Sequence, residues 1–124
     1  MFVHVALEVT DKNKAEIFFS QVLNIPKTGD FVINKNLCKD IFGIEKETEV
    51  IKFKKGILEF EVFVTCRRGF NTYSHVCLNV DDKNEVIKRC EKLGVKTIIV
   101  KKGCKELLFV KDFSGNLFEI KEKI

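Results

Sequence analysis

Two stretches of the chain are near copies of each other: Val3-His4-Val5-Ala6-Leu7-Glu8-Val9-Thr10-Asp11-Lys12-Asn13 and, 71 positions on, Ser74-His75-Val76-Cys77-Leu78-Asn79-Val80-Asp81-Asp82-Lys83-Asn84. From His4 to Asn13, seven of ten residues are identical in the second copy, and six of nine remain identical when the histidine is left out. The duplication therefore does not rest on the histidines. A period of 71 residues is too long for the solenoid families and too short for two separate domains. It fits one domain over 1–124, built from two half-modules (1–66 and 71–124) that share a core.

Each copy reads as a strand running into a helix. Residues 2–9 and 73–80 alternate apolar and polar, the period of a half-buried strand. Asp11 and Asp82 stand at helix N-cap positions, ahead of helical spacing over 12–23 and 83–93. The predicted apolar stripes are Ala15, Phe18, Phe19 and Val22 in the first helix, and Val86, Ile87, Cys90 and Leu93 in the second. Gly94 is placed to end the second helix. Short strands are expected at 30–33, 48–54 and 57–65, and again at 96–101, 106–111 and 117–122, with turns at Gly56 and Ser114-Gly115-Asn116. The segment 35–46 reads as a helical turn or loop with no counterpart in the second half, and it is a candidate cover for a pocket mouth. The pattern is βαβββ twice, an α+β fold. We expect one curved, mostly antiparallel eight-stranded sheet with the helices on its convex side.

Composition narrows the function. Apolar residues make up 45% and charged residues 32%, which suits a packed globular chain. The net charge of +4 comes from 22 basic and 18 acidic residues mixed along the whole chain. That leans toward an anionic small-molecule substrate and lacks the concentrated basic face of a nucleic-acid binder. Five cysteines with no CxxC spacing, and an N-terminus that goes straight into a strand, lead us to expect reduced thiols and a cytoplasmic protein. No apolar run is long enough to span a bilayer, so no membrane partner is expected.

Alternation also sorts the strand faces. If Val3, Val5, Leu7 and Val9 pack under a helix, then Phe2, His4, Ala6 and Glu8 face the other way. In 73–80 the opposite face carries Tyr73, His75, Cys77 and Asn79. Packing of Leu58, Phe60, Val62 and Val64 leaves Ile57, Glu59, Glu61 and Phe63, and packing of Phe118 and Ile120 leaves Leu117, Glu119 and Lys121. Both histidines of the chain thus share a face type with Glu59, Glu61 and Glu119. A carboxylate inside an apolar strand is costly unless paired, solvated or bound to a cation. Two imidazoles and two carboxylates make three or four nitrogen and oxygen ligands for one divalent ion, with zinc, nickel, cobalt, manganese and iron all suited. Glu8, at a strand end, reads as a solvated acid, and Cys77 reads as filler.

Four segments, HVALEV (4–9), FFSQVLNI (18–25), SHVCLNVDD (74–82) and KDFSGNLFEIKE (111–122), resemble in this order the vicinal oxygen chelate superfamily, above all its glyoxalase I-like and methylmalonyl-CoA epimerase-like members. The resemblance implies a metal held by His4, Glu61 (with Glu59 as the alternative), His75 and Glu119. It also implies that Glu119 or Glu61 serves as the catalytic base in a proton shift next to a carbonyl, through a metal-stabilised enediolate. A homodimer is implied too, with sites sometimes shared between chains. Glu8 stands where glyoxalase I has a basic residue for the glutathione carboxylate, which argues against that thiol. The leading expectation is a metal-dependent lyase or isomerase. The alternatives are a metal-free binding protein for small drug-like molecules of the bleomycin-resistance type, motivated by Phe2, Phe63 and Tyr73, and an iron-dependent dioxygenase.

Overall fold

The computed structural model describes residues 1–66 and 71–123; the junction at 67–70 between the half-modules lies outside the described residues. Each half forms its own four-stranded sheet. The first contains β1 (Val5–Val9), β2 (Lys27–Ile33), β3 (Thr48–Lys55) and β4 (Leu58–Val64), in the order β1-β4-β3-β2. The second contains β5 (Val76–Val80), β6 (Lys96–Lys102), β7 (Lys105–Lys111) and β8 (Leu117–Glu122), in the order β5-β8-β7-β6. In both, the first and last strands pair in parallel and the other pairs are antiparallel. The α+β class and the two βαβββ modules are as expected, whereas the single eight-stranded sheet is not what the chain forms. Among the described residues no ladder joins the two sheets, because each first strand finds its partner in its own module.

The helices form for the reasons the sequence suggested. Asp11 accepts a hydrogen bond from Lys14 N at 3.0 Å and starts α1 (Lys12–Glu16). Asp82 accepts from Asn84 N and Glu85 N and starts α3 (Lys83–Leu93), which ends at Gly94 with φ 72°. α1 runs directly into π-helical turns over Ile17–Val22, where Leu23 N donates to Phe18 O. The wider turn brings Phe18, Phe19, Val22 and Leu23 all into the interior. The segment 35–46 contains a true helix, α2 (Lys35–Phe42), capped by Asn34 and closed by Gly43 at φ 71°. Among the described residues no helix is long and apolar enough to cross a membrane.

One interior serves both halves. Phe18 of the first module stacks against Phe118 of β8 with ring centres 5.1 Å apart, and Phe60 of β4 lies 6.2 Å from the same ring. Phe19 completes the cluster against Phe53 (4.8 Å) and Phe60 (5.2 Å). The core rows of both sheets (Phe60 and Val62; Phe118 and Ile120) therefore meet in a common centre with α1, its π-helical extension and α3.

A polar clasp joins the modules at one edge. Asp112 in the turn before β8 accepts from Ser114 N (2.9 Å) and Asn116 N (2.8 Å) at one oxygen, and from Asn116 Nδ2 (2.8 Å) at the other. The ordered turn then grips the end of β1: Ser114 Oγ accepts from Thr10 N (2.9 Å) and Asn116 Nδ2 donates to Glu8 O (2.8 Å). Burial raises the Asp112 pKa above the usual carboxylate value, outweighing the hydrogen bonds that favour the charge. Asp112→Ala is expected to cost about 2 to 3 kcal/mol in denaturant unfolding, since it strands buried N–H groups. Because the folded-state pKa is raised, Asp112's contribution is fully present below the unfolded pKa and shrinks as pH rises through the folded one. The stability difference between wild type and this variant, measured against pH, should narrow in that direction.

Candidate metal centre

Parallel pairing of first and last strands sets the site. In the first sheet Ala6 is opposite Glu61, and in the second Cys77 is opposite Glu119. His4 and His75 each stand two residues earlier on the same face, just before the strand's first ladder residue. Each imidazole therefore reaches diagonally across to the carboxylate. His4 Nε2 lies 3.5 Å from Glu61 Oε1, and His75 Nε2 lies 3.5 Å from Glu119 Oε1. The two pairs match even in exposure, with side chains 39% and 19% accessible in the first and 38% and 17% in the second. Glu59, the alternative on the same strand face, turns to Lys52 Nζ at 3.5 Å instead.

The chemistry of the second pair is specific. His75 Nδ1 donates to the Tyr73 carbonyl at 2.8 Å. A carbonyl only accepts, so this nitrogen carries the proton, and whenever the ring is neutral its Nε2 offers a lone pair toward Glu119. Two acceptors 3.5 Å apart repel unless a proton or a cation lies between them. Two donors that each sit about 2.1 Å from a tetrahedral ion are about 3.4 Å apart, so the spacing suits a shared metal. Burial pushes the Cys77 thiol upward, and the adjacent Glu119 carboxylate adds to the rise, so Cys77 beside the pair is held as a neutral thiol.

A single chain does not bring the four predicted ligands together. No cluster of three or more His, Cys, Asp or Glu side chains suited to a metal occurs among the described residues. The reason is the shared interior: both core rows point inward, so the His4–Glu61 face and the His75–Glu119 face lie on opposite outer sides.

Sequence reasoning placed Glu8 among the solvated acids. It is half-buried and lines a cavity of about 460 Å³ between the outer face of the first sheet and α2. Phe42 of α2 meets Phe63 of β4 edge-on at 5.5 Å and forms one wall. The 35–46 segment thus covers the sheet face beside the first His–Glu pair.

No family model and no curated protein sequence matches the chain. Its fold does match known structures. The fosfomycin resistance protein FosX from Listeria monocytogenes is similar over 100% of this chain and 93% of its own, at 18% identity and a TM-score of 0.76. A glyoxalase family protein from Bacillus cereus aligns over 99% of this chain and 93% of its own, at 16% identity and a TM-score of 0.80. A glyoxalase family protein from Enterococcus faecalis aligns over 97% and 95%, at 19% identity and a TM-score of 0.71. Structures of FosX contain Mn(II), in one case with sulfate. With its two βαβββ modules and the parallel pairing of the first and last strand of each, the chain has the fold of these fosfomycin resistance and glyoxalase family proteins, the fold that its resemblance to the vicinal oxygen chelate superfamily implied.

Proposed function

We propose that this protein is a metal-dependent lyase or isomerase of the glyoxalase type, which moves a proton next to a carbonyl in a small-molecule substrate. The observation that carries the reading is the twofold His–Glu pair, most of all His75, whose Nδ1 is anchored on the Tyr73 carbonyl while its Nε2 faces Glu119 Oε1 at 3.5 Å. Each pair offers two donors, and a protein-held ion needs three or four, so two pairs belong to one site. A homodimer supplies that: His4 and Glu61 of one protomer with His75 and Glu119 of another copy. Met1, Phe2 and Val3 ahead of β1, and Tyr73 ahead of β5, are exposed apolar side chains next to the two histidines, and a second copy would cover them.

A divalent ion, when bound, supplies the positive charge that offsets negative charge developing on a carbonyl oxygen. The chain's own groups do the rest. The Nδ1–H of His75, anchored on the Tyr73 carbonyl, holds the ring in the orientation and tautomer that a ligand needs. The carboxylates of Glu119 and Glu61 are mostly shielded from water and point to the same face as the imidazoles, where either can take a proton from a carbon beside the carbonyl and return it.

Elemental analysis of untagged protein purified without chelator tests the reading. The expected result is about one divalent ion per chain, falling to background in Glu119→Gln and Glu61→Gln. The loaded protein should also exchange a substrate α-proton in deuterated water. No affinity for added nickel, cobalt, zinc or manganese would leave the second reading, a metal-free binder of small aromatic molecules, which the Phe42–Phe63 wall favours.

A further inference from the structure

We infer that the cavity under α2 binds an uncharged aryl or branched-alkyl group, the non-reacting portion of the substrate. The inference builds on the proposed site, because the cavity begins where the His4–Glu61 pair ends. His4, Ala6 and Glu8 form one outer row of the sheet, and Glu61, Phe63 and Thr65 form the parallel row beside it. The pair sits at one end of these rows, and Ala6, Glu8, Phe63 and Thr65 line the cavity at the other. Residues two apart along a strand are about 7 Å apart, so a substrate held at the histidine end extends into the cavity after four or five bonds.

The walls define the chemistry. Phe42, Ile44, Phe63 and Val64 supply apolar surface, and the volume of about 460 Å³ is in the range of small-ligand sites. Thr48 is committed within the protein, its hydroxyl donating to Lys46 O at 3.0 Å. Glu8 and Lys46 both line the cavity, one charge of each sign, so its selectivity comes from the apolar walls. The roof is specific to this half of the protein. α2 joins β2 to β3, whereas β6 and β7 are joined by a tight turn at Gly103 (φ 64°), and among the described residues the second module has no helix corresponding to α2. Two equivalent His–Glu pairs thus have unequal surroundings, which gives a bound substrate one direction in which to lie.

The test begins with metal-free protein and benzyl alcohol as the probe, read by the methyl resonances of Ala6, Ile44, Thr48 and Val64. Saturable shifts confined to these methyls are expected, and they should be lost in Ala6→Phe, which fills the cavity. Phe42→Ala, which removes a wall from an exposed helix, should weaken binding by about tenfold. Shifts that are absent, or that survive both variants, overturn the inference. A second measurement separates this from the metal reading: acetohydroxamate and benzohydroxamate are titrated into Mn(II)-loaded protein. Benzohydroxamate should bind about tenfold or more tightly than acetohydroxamate, with the ratio collapsing in Phe42→Ala. Equal affinities overturn the inference and leave the metal site standing. Failure of both hydroxamates, with benzyl alcohol still saturating the cavity methyls, removes the metal reading and upholds the cavity as an aryl site.

Discussion

Mixing His4→Ala protein with His75→Ala protein should restore tight metal binding to about a quarter of the wild-type sites, although neither variant binds metal by itself. If each site takes His4 and Glu61 from one protomer and His75 and Glu119 from the other, every site in either homodimer lacks one imidazole. In a mixed dimer, one site lacks both histidines and the other lacks none. Random exchange makes about half of the dimers mixed, and one of their two sites is intact, which gives the quarter. Loss of one direct ligand should weaken affinity by at least about a hundredfold, more than is usual for groups that only support a ligand. The readout is tight metal per chain after dialysis against a weak chelator, with substrate turnover as a second measure. The pairing within each half is already set by the strand ladders at 3.5 Å, so the experiment reads only how the halves combine. Zero recovery after subunit exchange would defeat the shared site, as would a monomer at all concentrations.

Phe118→Ala should cost about 4 kcal/mol, among the largest effects of any single side chain here. Phe118 is fully buried and its ring meets Phe18, Phe19 and Phe60, so it touches the first helix, β4 and its own sheet at once. Truncation removes the transfer free energy of the ring and leaves a cavity whose walls belong to two modules, which limits how far they can collapse. Against a total stability of about 5 to 15 kcal/mol, that is a large fraction. The midpoint of thermal unfolding should drop by roughly 15 °C. Phe118→Leu, which keeps most of the volume, should cost about 1 kcal/mol. Equilibrium denaturation followed by far-ultraviolet circular dichroism checks both values. A loss below about 1 kcal/mol for the alanine variant would mean that the two halves do not depend on a common core.

Much of the architecture could be read from the chain before any coordinates. Period-two alternation assigned the faces of β1, β4, β5 and β8, and the buried rows Phe60–Val62 and Phe118–Ile120 are the ones it selected. Asp11, Asp82 and Gly94 cap helices where local chemistry requires. These features were legible because they depend on neighbours within a few residues. The duplication added what local rules lack, by showing that His4 and His75 occupy equivalent places.

Alternation says which face a side chain is on but not which residue stands across from it. Only the parallel register of β1 with β4 put Glu61 rather than Glu59 beside His4, because Glu59 and Glu61 share a face and differ by one step along it. Likewise, no local pattern distinguishes one eight-stranded sheet from two four-stranded ones. That was decided by Phe18, Phe60 and Phe118 meeting in one interior, which turned the two His–Glu faces outward and apart. The chain by itself thus determined its strands, caps, repeat and the residue types on its two His–Glu faces. Tertiary structure alone decided their register, the roof that α2 makes and the separation of the two pairs, because each of these depends on contacts between residues far apart in sequence.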